Sequence, residues 1–150
     1  MSSISICKLR IEDIAQYLKV LRNLTMVKTD LKTAKLIYER EINTNPLHHI
    51  FIAYVDDNKC ERKVIASCTL LVEPKMIGNA DRVGHIEDVA VLKEFQGRGI
   101  GMKIVEFVTR YGFDEMKCAK IELDCAECTM PFYEKLGYVY NDVLMKKIKS

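Results

Sequence analysis

The sequence has no tryptophan, only three prolines and seven glycines among its 150 residues, and no repeat or low-complexity linker. A chain of this length predicts one domain, spanning residues 1–150. An apolar run of the ~20 residues needed to cross a bilayer is also missing. The first residues do not have the basic and then apolar pattern of a signal peptide, and the last three form neither a retention tail nor a peroxisomal tail. We therefore expect a cytoplasmic protein with no membrane partner.

A strong charge of either sign is missing as well, since 23 basic and 21 acidic residues leave a formal net charge of +2. Proteins that bind nucleic acid broadly carry a larger positive charge, so we expect no nucleic-acid partner. Six cysteines are present. A four-cysteine zinc site needs two close pairs, and Cys125 with Cys128 is the only such pair, so we expect no metal. We interpret this pair as a strand end followed by a turn, and Cys7, Cys68 and Cys118 as small core residues.

The hydrophobic periodicity alternates between strand-like and helix-like segments. The predicted strands cover residues 5–10, 50–55, 64–72, 82–92, 119–125 and 138–148. The predicted helices cover residues 14–24, 31–42, a segment that begins after the glycines at 97–101, and 130–136. A turn cluster at 56–59 predicts a hairpin between the second and third strands. The order β-α-α-β-β-β-α-β-α-β predicts an α/β or α+β domain with a mixed central sheet flanked by helices.

Three glycines within five residues, Gly97, Gly99 and Gly101, precede the third predicted helix. Glycine permits positive φ angles and a close approach of a ligand to the backbone. The free N–H groups and the dipole at a helix start favour a phosphate, to which Arg98 can add a charge-assisted bond. The spacing fits neither the dinucleotide fingerprint nor the P-loop. From the residues alone, phosphate binding and a purely structural turn are both open.

The segment Gln-Gly-Arg-Gly-Ile-Gly at 96–101 resembles the acyl-CoA loop of the GNAT superfamily of N-acetyltransferases, written Q/R-x-x-G-x-G/A. The predicted element order is also the order of that fold. Within the superfamily, the chain is most similar to the eukaryotic glucosamine 6-phosphate N-acetyltransferases. The likeness is nearly gapless from about residue 75 onwards and thinner over 28–80. The segments that carry it are 18–21, 24–27, 84–91, 96–101, 123–125 and 132–138.

The resemblance implies transfer of acetyl from acetyl-CoA to the 2-amine of glucosamine 6-phosphate, a step in UDP-N-acetylglucosamine biosynthesis. It also implies a homodimer with the sugar site near the interface. The implied acetyl-CoA site comprises Val89, Ala90, Val91, Gln96, Gly97, Arg98, Gly99, Ile100, Gly101, Met102 and Tyr133. The implied sugar site comprises Thr25, Lys75, Glu87, Asp88, Lys120 and Asp124. The implied catalytic residues are Glu87, Asp88, Asp124 and Tyr133.

Acetyl transfer to an amine requires that the amine lose its proton, that the thioester carbonyl be polarised, and that the leaving thiolate be protonated. The resemblance assigns carbonyl polarisation to the backbone N–H of Val89, the amine side to Asp124, and the thiolate proton to Tyr133. Tyr133 could instead be a packing residue beside Phe132. Glu87 and Asp88 are adjacent in a predicted strand, so their side chains are expected on opposite faces unless a bulge intervenes.

The three histidines are not expected to be catalytic. His85 is interpreted as a hydrogen-bonded structural residue within its strand. His48 and His49 follow a proline turn and are interpreted as surface residues. Near the chain end the family usually has an arginine on the phosphate, whereas this chain has lysines there, and lysine lacks the fork of arginine.

Two other readings of the sequence are kept open. One is a GNAT enzyme that acts on another amine, such as a protein N-terminus, a lysine or a polyamine. The other is a non-catalytic module that binds acyl-CoA and regulates a partner. Cations around the expected acceptor site favour an anionic acceptor over a polyamine, and Glu87, Asp88, Asp124 and Tyr133 favour an enzyme over a module.

Overall fold

A single five-stranded sheet organises the chain, in a computed structural model that describes residues 3–56 and 62–149. The strands lie in chain order: β1 (Ile4–Lys8), β2 (His48–Asp56), β3 (Arg62–Pro74), β4 (Arg82–Val91) and β5 (Cys118–Glu122). The first four are antiparallel, and β5 joins β4 in parallel. The mixed sheet is confirmed. Most of the predicted turn at 56–59, and Cys60, lie outside the described residues.

Four helices flank the sheet: α1 (Ile14–Leu21), α2 (Leu31–Ile37), α3 (Ile100–Asp114) and α4 (Met130–Glu134). The Asp30 carboxylate accepts the amide of Thr33 at 2.9 Å and so caps α2, as aspartate commonly does. A five-residue π-helical segment, Tyr38–Ile42, continues α2, so the single helix predicted over 31–42 is confirmed with a wider final turn. Gly137, with φ +86, follows α4 in the left-handed conformation that is common after a helix end.

The core lies on both faces of the sheet. Every residue of β3 from Val64 to Leu70 is buried, which indicates a central strand covered on both sides. On one face, Phe51 of β2 contacts the rings of Phe107 and Tyr111 of α3, with centroids 5.4 and 4.9 Å away. Helix α1 covers the other face over β3 and β4. The outer end of that second face, over β4 and β5, is the part that carries polar residues.

A buried ion pair joins α1 to the start of β3. The Asp13 carboxylate, which is 4% exposed, bonds the guanidinium of Arg62 and accepts a 3.2 Å hydrogen bond from Arg10. Burial opposes ionisation of this carboxyl, but the hydrogen bonds from Arg62 and Arg10 hold its pKa below the usual value. The Gln16 side chain accepts the Val64 amide at 2.9 Å next to this pair.

The last predicted strand, over 138–148, is wrong for the single chain. Residues 139–149 have no regular secondary structure and are exposed. A strand forms only where a neighbour pairs its backbone N–H and C=O groups, and within the described ranges this segment pairs with no strand of its own chain. Its apolar side chains are therefore left in solvent, with Val139 83% and Met145 89% exposed.

Within residues 3–56 and 62–149, no helix is long and apolar enough to span a membrane.

Candidate active site

A β-bulge interrupts β4 at the adjacent carboxylates. Ser67 of β3 pairs with Ala90 and Thr69 pairs with Glu87, so Cys68 alone stands opposite both Asp88 and Val89. Asp88 has φ +50, a left-handed conformation that is uncommon outside glycine. A bulge leaves backbone groups of its extra residue outside the ladder. The bulge is the exception that the sequence analysis allowed for two adjacent strand residues. Glu87 is half-buried and Asp88 is exposed, and neither Asp88 nor Val89 has a partner residue in the register with β3.

Strands β4 and β5 separate just before this bulge. Their parallel pairing ends at His85 and Glu122, where β5 itself ends. The predicted strand reached residue 125, so its end is corrected by three residues. Asp124 consequently lies in an exposed turn rather than in the strand. A gap opens between the two strands, with Glu87 on one side and Asp124 on the other.

The carboxylates at this gap influence one another. Burial raises the pKa of Glu87, and the negative charges of Asp124 and Asp88 raise it further. A carboxylate that holds its proton more tightly than usual is a better general base at neutral pH. Clustered carboxylates with a perturbed pKa are typical of catalytic sites. The structure therefore brings together three of the four predicted catalytic residues.

Tyr133 lies in α4, close enough to Asp124 for the carboxylate to influence its pKa. Its ring contacts Phe132 edge-on at 4.8 Å and Tyr138 at 6.0 Å, and it packs against the core cluster. Burial raises the pKa of Tyr133 to about 12, with smaller contributions from Cys68, Cys125, Tyr138 and Asp124. The ring is thus a packing residue, as one of the two interpretations held. The phenol is also a proton donor over the whole physiological pH range, as the other interpretation requires.

The glycine segment forms an open cradle at the start of α3. Gly97 and Gly99 both have φ +73, and a Cβ on either would meet no atom within 4 Å. The amide of Lys103 makes the first bond of the helix, to the Gly99 carbonyl at 3.1 Å, so the preceding amides of α3 have no intrahelical acceptor. These amides and the positive end of the helix dipole favour an anion in the cradle.

The residues around the cradle hold it in place. The Gln96 side chain donates to the Val91 carbonyl at 3.0 Å, and the Arg98 guanidinium lies over the Phe95 ring at 5.3 Å. Ala90 and Ile100 are buried, so only their backbone groups can contact a ligand. Val89, Val91 and Met102 are half-buried and line the approach from β4 to the helix. The predicted acetyl-CoA residues thus form one continuous surface from the bulge to α3.

The predicted sugar-phosphate residues lie further apart than the carboxylates at the gap. The Lys75 ammonium is 2.5 Å from Glu73, and Lys120 bonds Glu122, so each lysine is paired with a carboxylate two residues away in the chain. Thr25 is exposed in the turn after α1, where its amide bonds the Leu21 carbonyl at 3.1 Å. No contact within the described residues joins Thr25 to either lysine.

Two predictions about histidines have opposite outcomes. His85 is a hydrogen-bonded structural residue, since its Nε2 lies 3.0 Å from the Glu73 carboxylate. The surface interpretation is wrong for His49, because β2 begins at His48, two residues earlier than predicted, whereas His48 itself is half-buried. His49 is 8% exposed and packs edge-on against Tyr111 at 5.3 Å. Burial lowers the pKa of both histidines.

Sequence reasoning missed a buried tyrosine next to Asp88. The Tyr17 hydroxyl is hydrogen-bonded to the Thr69 side chain, and burial raises its pKa to about 12, with the Asp88 charge adding to the effect. Thr69 pairs with Glu87 across the sheet, so this bond lies directly beside the bulge. Nothing in the sequence indicated that Tyr17 reaches Thr69 across the layers.

The cysteines agree with the sequence interpretation in most respects. Cys68 and Cys118 are buried, whereas Cys7 is half-buried. Burial raises the pKa of the Cys68 thiol. Cys125 and Cys128 are free and exposed, and Cys128 lies in a single 3₁₀ turn after β5. In the described part of the chain, no cluster of three or more histidine, cysteine, aspartate or glutamate residues could hold a metal.

Comparison with known proteins identifies the class. A family model for the acetyltransferase (GNAT) family matches residues 17–138, so the chain belongs to this family. The split between two parallel strands and the glycine cradle are therefore features of a GNAT domain.

Individual relatives of the chain share one named activity. The chain is 40% identical over 83 residues to glucosamine 6-phosphate N-acetyltransferase 1 of Dictyostelium discoideum, which covers 55% of this chain and 52% of that protein. It is 37% identical over 123 residues to the glucosamine 6-phosphate N-acetyltransferase of Candida albicans, covering 82% and 80%. The crystal structure of the Arabidopsis thaliana enzyme of the same name superposes with a TM-score of 0.88 at 30% identity, covering 99% of both chains. The match to the Dictyostelium protein spans only about half of its length.

Proposed function

We propose that this protein is a glucosamine 6-phosphate N-acetyltransferase. It transfers acetyl from acetyl-CoA directly to the 2-amine of the sugar phosphate and releases CoA, and its product enters UDP-N-acetylglucosamine biosynthesis. The observation that carries the proposal is the gap between β4 and β5, which has carboxylates on both sides and Tyr133 close to Asp124. The named activity of the relatives at 30–40% identity supports this sugar as the acceptor.

The glycine cradle holds the pyrophosphate of acetyl-CoA. The open space at Gly97 and Gly99 admits the phosphates, and the unbonded amides at the start of α3 donate to them. The rest of the cofactor follows the predicted residues back along Val91 and Val89. In this arrangement the thioester of acetyl-CoA lies in the gap beside the bulge.

Each side of the reaction then has a candidate group. The N–H of Val89, freed from the ladder by the bulge, donates to the thioester carbonyl as negative charge builds on its oxygen. Glu87, whose pKa is raised, accepts the amine proton directly or through a water, and Asp124 orients the amine. The Tyr133 phenol donates its proton to the leaving thiolate.

The phosphate of the sugar lies among Thr25, Lys75 and Lys120. Both lysines already have carboxylate partners, so a phosphate must compete with Glu73 and Glu122 for them. A dianionic phosphate is a stronger partner for an ammonium than one carboxylate is.

One assay separates the alternatives. The purified chain is mixed with acetyl-CoA and a panel of amines: glucosamine 6-phosphate, glucosamine, a peptide N-terminus, a lysine peptide and a polyamine. Release of CoA thiol is followed. Turnover confined to glucosamine 6-phosphate supports the proposal. Preferential turnover of another amine supports a different GNAT acceptor, and acetyl-CoA binding without any turnover supports a regulatory module.

The homodimer is part of the same proposal. Residues 139–149 expose a run of large apolar side chains, and an exposed apolar segment of this kind is typical of an interface. The segment has the sequence pattern of a strand, and a second copy can supply the partner strand that its own chain lacks. Light scattering should give a dimer for the full chain and a monomer for a chain that stops at Tyr138. A monomeric full chain at micromolar concentration would contradict the proposal. The cytoplasmic location stays a prediction.

A further inference from the structure

A row of charged side chains crosses β3, β4 and β5 on the face opposite α3. His85 stands at its centre, with Nε2 at 3.0 Å from the Glu73 carboxylate and Nδ1 at 3.9 Å from the Glu122 carboxylate. The second oxygen of each carboxylate bonds a lysine, Lys75 just after β3 and Lys120 on β5. One imidazole therefore links carboxylates on the two strands that flank its own.

This row of charged side chains is important for its position in the sheet rather than for the strength of its ion pairs. His85 and Glu122 form the last registered pair of β4 and β5, and the strands separate beyond it. Glu87 and Asp124 each lie two residues further along their own segment, one on either side of the gap. The contact between His85 and Glu122 is thus at the apex of the gap, on the polar face.

The same junction is fixed by packing on the opposite face. The Ile121 side chain fills the hollows left by two glycines: a Cβ on Gly84 would stand 2.5 Å from Ile121 Cδ1, and one on Gly112 would stand 2.6 Å from it. Packing alone therefore fixes how closely β4 and β5 approach at this level. It leaves open how the two strands are tilted on the side where the charges lie.

We propose that His85 is a positioning residue that sets the width of the gap by joining β4 to the end of β5 through Glu122. This inference rests on the proposed function, because it assigns the gap to the acceptor amine and the thioester. Glu73 orients the ring through its hydrogen bond with Nε2, and the protonated imidazolium, in which both ring nitrogens donate, turns its Nδ1–H towards Glu122 in an ion pair at 3.9 Å. His85 touches neither substrate and acts on Glu87, Val89 and Asp124 only through the backbone.

The geometry explains why the contact between His85 and Glu122 would affect turnover rather than cofactor binding. A displacement of about 1 Å between reacting groups can lower a rate by ~10²-fold. The glycine cradle belongs to α3 and lies beyond the bulge, so the pyrophosphate contacts do not depend on the apex. We therefore expect His85→Ala to lower kcat about tenfold or more, with the Kd for acetyl-CoA changed less than twofold.

The experiment compares His85→Ala with His85→Gln, which keeps a donor for Glu73, in the full chain with acetyl-CoA and glucosamine 6-phosphate. Turnover should fall in the order parent, His85→Gln, His85→Ala. Combining His85→Ala with Glu122→Gln should cost no more than His85→Ala alone, because both remove the same link.

Ile52→Val, a buried change two strands away in β2, controls for lost stability, and its kcat per folded molecule should equal that of the parent. A kcat for His85→Ala within twofold of the parent, or fully additive effects in the double variant, would overturn the proposal.

A second measurement keeps this test separate from the proposed function. Amide chemical shifts of Val89 and Asp124 in the ligand-free chain should move in His85→Ala and stay unchanged in Ile52→Val. Moved shifts in a chain whose parent form does not turn over the sugar would support the positioning role and defeat the proposed function. Unmoved shifts would defeat the positioning role whatever the acceptor is.

Discussion

Gly101 lies directly against the Phe132 ring: a Cβ at this position would stand 3.3 Å from the ring's Cζ atom and 3.5 Å from Val91 Cγ2. Phe132 is the neighbour of Tyr133 in α4. The third glycine of the loop is therefore needed for close packing of α3 against α4 and β4, whereas the first two leave space for a ligand. The loop connects the cofactor site to the proposed general acid.

Gly101→Val should displace Phe132 and, with it, the hydroxyl of Tyr133. Overpacking of this kind typically costs about 1–3 kcal/mol of stability. We expect kcat to fall more than tenfold while the domain remains folded by circular dichroism. Gly101→Ala, whose single methyl group needs a shift of only a few tenths of an ångström, should retain most of the activity. Equal activity of the valine variant and the parent would contradict this packing role.

Gly99→Val should act through the ligand rather than through packing. Its Cβ would meet no protein atom, but φ +73 strains any L residue, and the side chain would stand in the cradle. Titration calorimetry should show acetyl-CoA binding abolished or at least a hundredfold weaker. Gly78→Val, at φ +61 in the loop between β3 and β4, places similar strain far from the cradle. Its acetyl-CoA affinity should equal that of the parent, and near-native affinity of Gly99→Val would contradict the cradle.

Most of the fold could be predicted because its signals are local. The continuous apolar run of β3, the period of α1 and the proline and glycine at the two ends of α4 each depend on a few consecutive residues. The final strand could not be predicted correctly for the isolated chain. Its alternation is strand-like, but pairing depends on a partner strand that the chain itself does not supply.

The candidate site was predictable as a set of residues but not as a geometry. Adjacent carboxylates on a strand indicate opposite faces, and the bulge at Asp88 depends on a one-residue mismatch with β3 that only the pairing reveals. The bond between Tyr17 and Thr69 joins residues 52 positions apart in different layers. His49 was misassigned because the predicted strand began at residue 50, after the proline turn, whereas β2 begins at His48 and buries His49.

Tyr133→Phe tests the general acid with the ring packing intact. Loss of one proton donor in the transition state typically costs ~10²–10⁴-fold in rate. Acetyl-CoA affinity should change little, because no thiolate is present before the reaction, and some turnover should remain because CoA is itself a fair leaving group. Pre-steady-state kinetics should locate the loss in the chemical step.

Tyr138→Phe is the matched control for this variant. Its ring lies 6.0 Å from that of Tyr133, and its hydroxyl is 2.5 Å from Thr109, on the side of α3. The change removes a phenol from the same aromatic group without touching the gap, so kcat should stay within a few-fold of the parent. If Tyr133→Phe turns over as fast as Tyr138→Phe while acetyl transfer limits the rate, Tyr133 is only a packing residue.

The pH dependence of kcat should report Glu87. Burial and the charges of Asp124 and Asp88 raise its pKa above the usual 4.5, so activity should fall with decreasing pH through an acid limb that lies above that value. Asp124→Asn removes one of the charges that raise the pKa, so the limb of this slower variant should shift to lower pH. Tyr133, with a pKa of about 12, should produce no alkaline limb in the physiological range. An acid limb that does not move in Asp124→Asn would exclude Glu87 as the group observed.

Asp13 provides a stability prediction with a defined pH dependence. Arg62 and Arg10 hold the pKa of Asp13 below the usual 3.8 despite burial, so the folded state favours the ionised carboxylate more than the unfolded state does. The resulting stabilisation is complete above that pH and disappears as the pH falls through the lower, folded-state value.

At pH 7, Asp13→Ala leaves the 19% exposed Arg62 side chain without its partner, and removing one member of a buried pair typically costs roughly 3 kcal/mol. Denaturant unfolding should show this loss at pH 7 and a smaller difference from the parent at a pH well below 3.8, where the folded-state carboxyl becomes protonated. Glu12→Ala is the control, because Glu12 makes an exposed contact with Arg10 at 3.0 Å, and exposed pairs contribute little. A loss for Asp13→Ala that is the same at both pH values would show that the residue stabilises the fold by packing and not by its charge.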